Sequence, residues 1–164
     1  MSRDERFQQA AAALGYAFDG EIKIGGHYVP LVRNGRDIYL SGQIPRVGDT
    51  VVVTGRAGAG VSLAQAQLAA QVCALRALAL LQRALGSLDA VAAILRITVY
   101  VQCSDDFTQH SEVADGASDL LYQVLGAAGA HTRTSVGVLQ LPKNATVEMD
   151  MVASAVSEAT PAGL

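Results

Sequence analysis

The stretch from Ser62 to Gly86 constrains the fold of this chain more than any other. It opens on Ser62-Leu63-Ala64-Gln65, a serine followed three residues later by a glutamine, which is the pattern of a capping box. It closes on a glycine, the residue best suited to end a helix in a left-handed conformation. Between them Leu68, Val72, Leu75, Ala79 and Gln82 trace a 3.6-residue period. Alanines at 64, 66, 69, 70, 74, 77 and 79 keep this helix slim enough to lie close against a sheet or a second helix. Gln71, Arg76, Gln82 and Arg83 interrupt its most apolar run, Leu68 to Leu85, and a bilayer core would penalise them. The segment is expected to be a buried helix, not a membrane span.

A chain of 164 residues is the usual size of one domain. Hydrophobic residues make up 51% and charged residues only 16%, against about 25% charged in an average domain. That surplus of apolar surface favours a homo-oligomer with apolar interfaces. The net charge of −3 and the lack of a dense Lys/Arg cluster disfavour a nucleic-acid partner. Met1 to Phe7 contains no apolar run of the secretory type, so a cytoplasmic location is expected. Cys73 and Cys103 form no CxxC motif and are expected to be two buried, reduced thiols. His27, His110 and His131 are scattered, and no metal site is expected.

Ser2 and Glu5 form another capping-box pair, followed by Phe7, Ala11 and Leu14, which predicts a short N-terminal helix before Gly15. Asn34-Gly35 between Tyr28–Val32 and Ile38–Leu40 predicts a tight hairpin, with Pro30 marking the first arm as an edge. A short strand is expected at Val51–Val53, then a flexible glycine turn from Gly55 to Gly60. That run lacks the Lys-Ser/Thr of a phosphate-binding loop and does not fit the dinucleotide fingerprint. Further strands are expected at Ile94–Val101, Thr134–Gln140 and Thr146–Val156, with a second main helix over Ser111–Leu125. The order predicts an α/β (α+β) mixed sheet with two main helices packed on one face, plus the short N-terminal helix. Residues 1–156 are expected to form one domain, with 1–20 a helical extension and 157–164 a flexible tail. The uncovered sheet face would be closed by a ring of copies.

Charge meets strands in His131–Val138, Leu141-Pro142-Lys143 and Val147-Glu148. Arg133 starts one expected strand and Glu148 lies in the next, so an antiparallel pair joined at Pro142-Lys143 would bring them together. A guanidinium offers a planar fork for a carboxylate, and a nearby glutamate can orient or deprotonate water. The same two residues could equally form a structural or interface salt bridge. Ser135 lacks a G-x-S-x-G setting, which argues against a hydrolase triad and for a small pocket residue. Tyr28 fits either a packed ring or a hydroxyl at the mouth of a site.

Taken together, Tyr28-Val29, Ile38 to Pro45 with its Ser-Gly-Gln-Ile-Pro string, Ile97 to Val101, Asp106-Phe107 and the Arg133 block through Val147-Glu148 resemble the reactive intermediate deaminase (YjgF-like, endoribonuclease L-PSP) family over roughly residues 27–154. The resemblance implies a chorismate-mutase-like fold, a homotrimer with clefts between subunits, and hydrolysis of reactive enamines and imines to 2-oxo acids and ammonia without a cofactor. It implies that Arg133 binds the substrate carboxylate, Glu148 holds the attacking water, and Tyr28 lines the cleft from a neighbouring chain. Ser41, Gly42, Ser111 and Ser135 join the expected substrate-binding set. A non-catalytic module that binds a small carboxylate is the alternative. Ser135 stands where the family commonly has Cys, Gly137 where it has an acidic residue, and Ser111 where the deaminases have Asn, marking a divergent subgroup.

Overall fold

Both capping boxes form as the sequence requires. In the computed structural model, which describes residues 1–158, Ser2 and Glu5 satisfy each other's backbone N–H groups at the start of α1 (Arg3–Ala13). Ser62 and Gln65 do the same for α2 (Leu63–Leu85), which Gly86 ends in the left-handed region at φ 83°. Phe7, Ala10 and Ala11 of α1 are buried. The hairpin also forms: β1 (Leu31–Asn34) pairs antiparallel with β2 (Asp37–Gln43), and Pro30 precedes β1 at the sheet edge.

Two expectations before α2 need correction. The Val51–Val53 segment contributes only Val51 to a ladder, between β3 (Arg46–Val47) and β4 (Thr50–Val51): Val52 donates its N–H to the Pro45 carbonyl opposite it, and proline has no N–H to return. The glycine run is more than a loose turn. β5 (Arg56–Ala57) and β6 (Gly60–Val61) pair in parallel within it, a tight return that needs the positive φ angles of Gly58 and Gly60.

The main sheet is completed by β7 (Val91–Gln102), α3 (His110–Leu125), β8 (Thr132–Val138) and β9 (Val147–Ala155). Its strand order is β1-β2-β9-β7-β8. Only β7 and β8 run parallel, and α3 is the crossover such a pair requires. Along β9 the alternation is complete: Val147, Met149, Met151, Ala153 and Ala155 are buried, while Glu148, Asp150, Val152 and Ser154 lie on the other face. The buried row joins Ile38, Leu40, Ile97, Val99 and Val101 beneath the two main helices. Gly116 of α3 allows those helices to approach closely, since a Cβ there would lie 2.5 Å from the Gln67 carbonyl oxygen of α2.

Among the described residues the opposite sheet face has no helix over it, and it exposes Val32, Tyr39 and Val136. Ser157 and Glu158 follow β9 as exposed residues, and the rest of the expected tail, 159–164, lies outside the described residues.

Candidate functional site

The expected antiparallel pairing of the Arg133 and Glu148 strands is not what forms. β7 lies between β8 and β9, with Arg133 beside Ile97 in the parallel ladder and Glu148 beside Tyr100 in the antiparallel one. The cause is the connection from 139 to 146, which crosses the end of β7 instead of turning back. Buried Gln102 fixes that crossing: its side-chain NH2 donates to Asn144 Oδ1 (2.7 Å) and the Gly55 carbonyl (3.1 Å), and its Oε1 accepts from the Leu141 N–H (2.8 Å). Arg133 shares a face with buried Ile97 and reaches α3, whereas Glu148 lies on the opposite face with Asp150. Within one chain the two side chains therefore cannot act on one substrate.

On the helix face, α3 binds the Arg133 guanidinium. Nη1 donates to Asp115 Oδ1 (2.8 Å) and Ser118 Oγ (2.9 Å), and Nη2 donates to Ser111 Oγ (2.8 Å) and the Ser111 carbonyl (3.3 Å). His131 sets the direction of this network. Its Nδ1 lies 2.6 Å from the Gly129 carbonyl, which can only accept, so Nδ1 carries a proton. In the neutral imidazole Nε2 is then an acceptor, and the Ser118 hydroxyl, 2.8 Å away, donates to it. That leaves the Ser118 lone pairs for Arg133. Asp115, whose side chain is 54% exposed, occupies one side of the fork that a ligand carboxylate would need. An exposed pair of this kind is held weakly and is readily exchanged.

Ser135 lies between Arg133 and Gly137 on the same face of β8 and lines neither of the two cavities described here. Gly137 belongs to the second of these, a shallow cavity with Cys103, Phe107 and His110. A Cβ on Gly137 would come within 2.6 Å of His110 Nε2 and 2.9 Å of Cys103 Sγ, so those two side chains fill the space a larger residue would need. Cys103 is thus only half-buried, with Sγ 3.5 Å from His110 Nε2, which corrects the expectation of two buried thiols; Cys73 alone is fully buried. Burial pushes both thiols above their ordinary pKa.

On the other face, Glu148, Tyr28 and Gly42 line one cavity of about 290 Å³ with Lys23, Arg46, Arg76 and Lys143 among its walls. Gly42 is there for a steric reason, because a Cβ would sit 2.2 Å from Glu148 Oε1. Tyr28 is 47% exposed at the cavity wall, so it is not a ring packed in the core. Ser41 acts on its placement: its Oγ donates to the Val29 carbonyl (2.9 Å) and its N–H to the Pro30 carbonyl (2.9 Å), tying the Tyr28 segment to β2. Burial, and then the charge of Asp150, raise the Glu148 carboxyl above its ordinary pKa.

Of the expected residues, the structure brings Tyr28, Gly42 and Glu148 together at one cavity and Ser111 against Arg133, while Ser41 braces the Tyr28 segment and Ser135 lies at neither cavity. Asp115, Ser118 and His131 were not among the expected residues: the first two lie on α3, and His131 immediately precedes β8. Sequence reasoning also missed the cationic wall, whose members come from distant segments.

Comparison with known proteins agrees with this architecture. The profile of the YjgF/chorismate mutase-like family, which also carries an endoribonuclease label, matches residues 9–155. Protein TCP17 of Trypanosoma cruzi is 42% identical over 125 residues, covering 76% of this chain and 78% of that protein. A crystal structure of an Agrobacterium tumefaciens protein of unknown function superposes with a TM-score of 0.83 at 33% identity, covering 93% of this chain and 94% of that one. The Escherichia coli YjgF gene product shares the fold at a TM-score of 0.59 and 22% identity, over 79% of this chain and 88% of that one.

Proposed function

Because the chain belongs to the YjgF/chorismate mutase-like family, we propose that it hydrolyses reactive 2-imino acids to 2-oxo acids and ammonia, in clefts where Arg133 of one copy meets Glu148 of the next. The observation that carries this reading is the separation of the two side chains onto opposite faces of one sheet. If both serve one substrate, they come from two chains. The face with Val32, Tyr39 and Val136, and the outer edge of β8, unpaired among the described residues, supply apolar and backbone surface for such an assembly, which we take to be a homotrimer.

The chemistry asks little of the protein beyond position. Arg133 gives up Asp115 and takes the substrate carboxylate in its place, fixing the imine carbon in the cleft. Glu148 accepts a proton from a water molecule, whose oxygen bonds to that carbon as the C=N π pair moves to nitrogen. The protonated glutamic acid returns that proton to the nitrogen, giving the carbinolamine; the carboxylate then takes the hydroxyl proton and passes it to the nitrogen as well, so that the C–N bond breaks, the C=O bond forms and ammonia leaves. A raised carboxyl pKa serves both halves of this cycle.

The test is release of ammonia from freshly generated 2-iminopropionate by the wild type and Arg133→Ala. The variant is expected to lose at least about tenfold in kcat/KM, the equivalent of one charge-assisted contact. Unchanged turnover in the variant refutes the assignment. A second reading, carboxylate binding without turnover, needs only the Arg133 fork, whose exposed partner Asp115 a ligand carboxylate can replace. It predicts thermal stabilisation by 2-oxo acids with no ammonia above the spontaneous rate.

A further inference from the structure

The Glu148 cavity carries more positive charge than the capture of one carboxylate at Arg133 uses. In a chain of net charge −3, Lys23, Arg46, Arg76 and Lys143 line it against the single carboxylate of Glu148. Among the described residues the ion pairs are Lys23 with Asp49 and Arg133 with Asp115, so Arg46, Arg76 and Lys143 have no carboxylate partner and no cation pairs with Glu148. The cavity thus holds its base and its cations as separate groups.

Arg76 is the most firmly held of the three cations. Arg76 projects from the middle of α2 with 3% exposure. It donates to Gln43 Oε1 (3.2 Å), the Arg46 carbonyl (2.6 Å) and the Lys23 carbonyl (2.9 Å), all neutral acceptors that leave its charge uncompensated. Burial and the nearby Arg46 both lower its pKa, the mark of like charges gathered in a partly dry site. Arg46 has its own Nε buried without a hydrogen-bond partner, an orphaned donor that a bound acceptor would satisfy. Lys143 and Asn144 both adopt left-handed backbone conformations, at φ 57° and 58°, which cost energy for residues other than glycine. The Gln102 side chain and the Gly55 N–H hold Asn144 in that conformation, and Lys143 is thereby set on the cavity wall.

We propose that Arg46, Lys143 and Arg76 form an anion subsite within the Glu148 cavity, and that the preferred substrates are 2-imino acids carrying a second, distal carboxylate. This assignment rests on the hydrolase reading for the reaction, though not for the anion site itself. Size sets the class further. At about 30 Å³ for each water-sized group, a cavity of about 290 Å³ holds about ten non-hydrogen atoms, the size of a four- or five-carbon diacid. Arg133 of the neighbouring copy takes the carboxylate next to the imine, and the subsite takes the far one.

The experiment compares 2-oxoglutarate with 2-oxopentanoate, which has the same chain length and no distal charge. Binding of each is measured by calorimetry on the assembled protein, and hydrolysis of the two corresponding imino acids is measured alongside. The wild type is expected to bind 2-oxoglutarate at least about tenfold more tightly, consistent with a charge-assisted contact. Arg46→Gln and Lys143→Gln are each expected to reduce that ratio to about threefold or less. Lys143 is exposed, so its variant keeps the test valid if Arg46→Gln fails to fold. Equal affinities for the two acids in the wild type, or a preference that survives both substitutions, overturn the subsite. A preference for the diacid with neither imine hydrolysed supports the subsite and removes the hydrolase reading.

Discussion

Replacing Gly42 by alanine tests the placement of Glu148 without touching its charge. The added Cβ would lie 2.2 Å from Glu148 Oε1 and 2.9 Å from its Cδ, so the carboxylate must retreat by at least about 1 Å to reach ordinary van der Waals contact. Gly42 is not in the left-handed region, so the backbone accepts the substitution without strain. Only the flexible end of one side chain has to move. Misplacing a catalytic group by about 1 Å costs about 100-fold in rate, or roughly 2.7 kcal/mol of transition-state stabilisation. Folding stability should change by no more than about 0.5 kcal/mol, as for other substitutions that break no buried contact. The assay is kcat/KM for ammonia release from 2-iminopropionate, with a thermal melt on the same preparation. A drop of about two orders of magnitude with an unchanged melt is expected. A variant that turns over within twofold of wild type would refute the role of the Glu148 carboxylate at that position.

Further predictions follow from the surrounding contacts. Burial and Asp150 raise the Glu148 pKa, and a base must be ionised to act, so activity should fall with decreasing pH from a higher point than an ordinary glutamate would give; Asp150→Asn should move that acid limb to lower pH, and an unmoved limb contradicts the assigned base. The same raised pKa means that the folded state binds this proton more tightly than the unfolded chain, so ionisation costs stability above the unfolded value. Glu148→Gln should therefore melt no lower than wild type at pH 7 while losing turnover. Asp115→Asn frees one side of the Arg133 fork and should lower KM for a small 2-imino acid about two- to fivefold; a raised KM would mean that Asp115 orients Arg133 and does not compete for it. Gly116→Ala places a Cβ 2.5 Å from backbone of the facing helix and should cost about 1–3 kcal/mol in a denaturant titration, because neither helix can yield without disturbing the core.

What the sequence disclosed and what it hid divide along the range of the interactions involved. The helix starts at Ser2 and Ser62, the stop at Gly86 and the alternation of β9 were legible because each depends on neighbours in the chain. The pairing of β8 was misjudged because the same turn residues, Leu141 to Asn144, can close a hairpin or carry the chain past a strand. Buried Gln102, distant in sequence, selects the crossing. Arg133 stood out by its motif, yet its partners Asp115 and Ser118 lie on α3 and came into view only with the fold. The cationic wall is assembled from four separate segments, each contributing one unremarkable charge.

The central claim is that Arg133 and Glu148 serve one site from two different chains. Arg133→Ala and Glu148→Gln variants, each inactive alone, should be unfolded together in equal amounts, refolded, and assayed for 2-imino acid hydrolysis after mass measurement of the mixed assemblies. If each cleft draws its arginine from one copy and its glutamate from the next, random association in a closed ring restores on the order of a quarter of the sites, whatever the ring size. Recovery of about that fraction of wild-type activity is the predicted result. Mixed assemblies that remain inactive would contradict the account, since a site contained in one chain cannot be repaired by its neighbour.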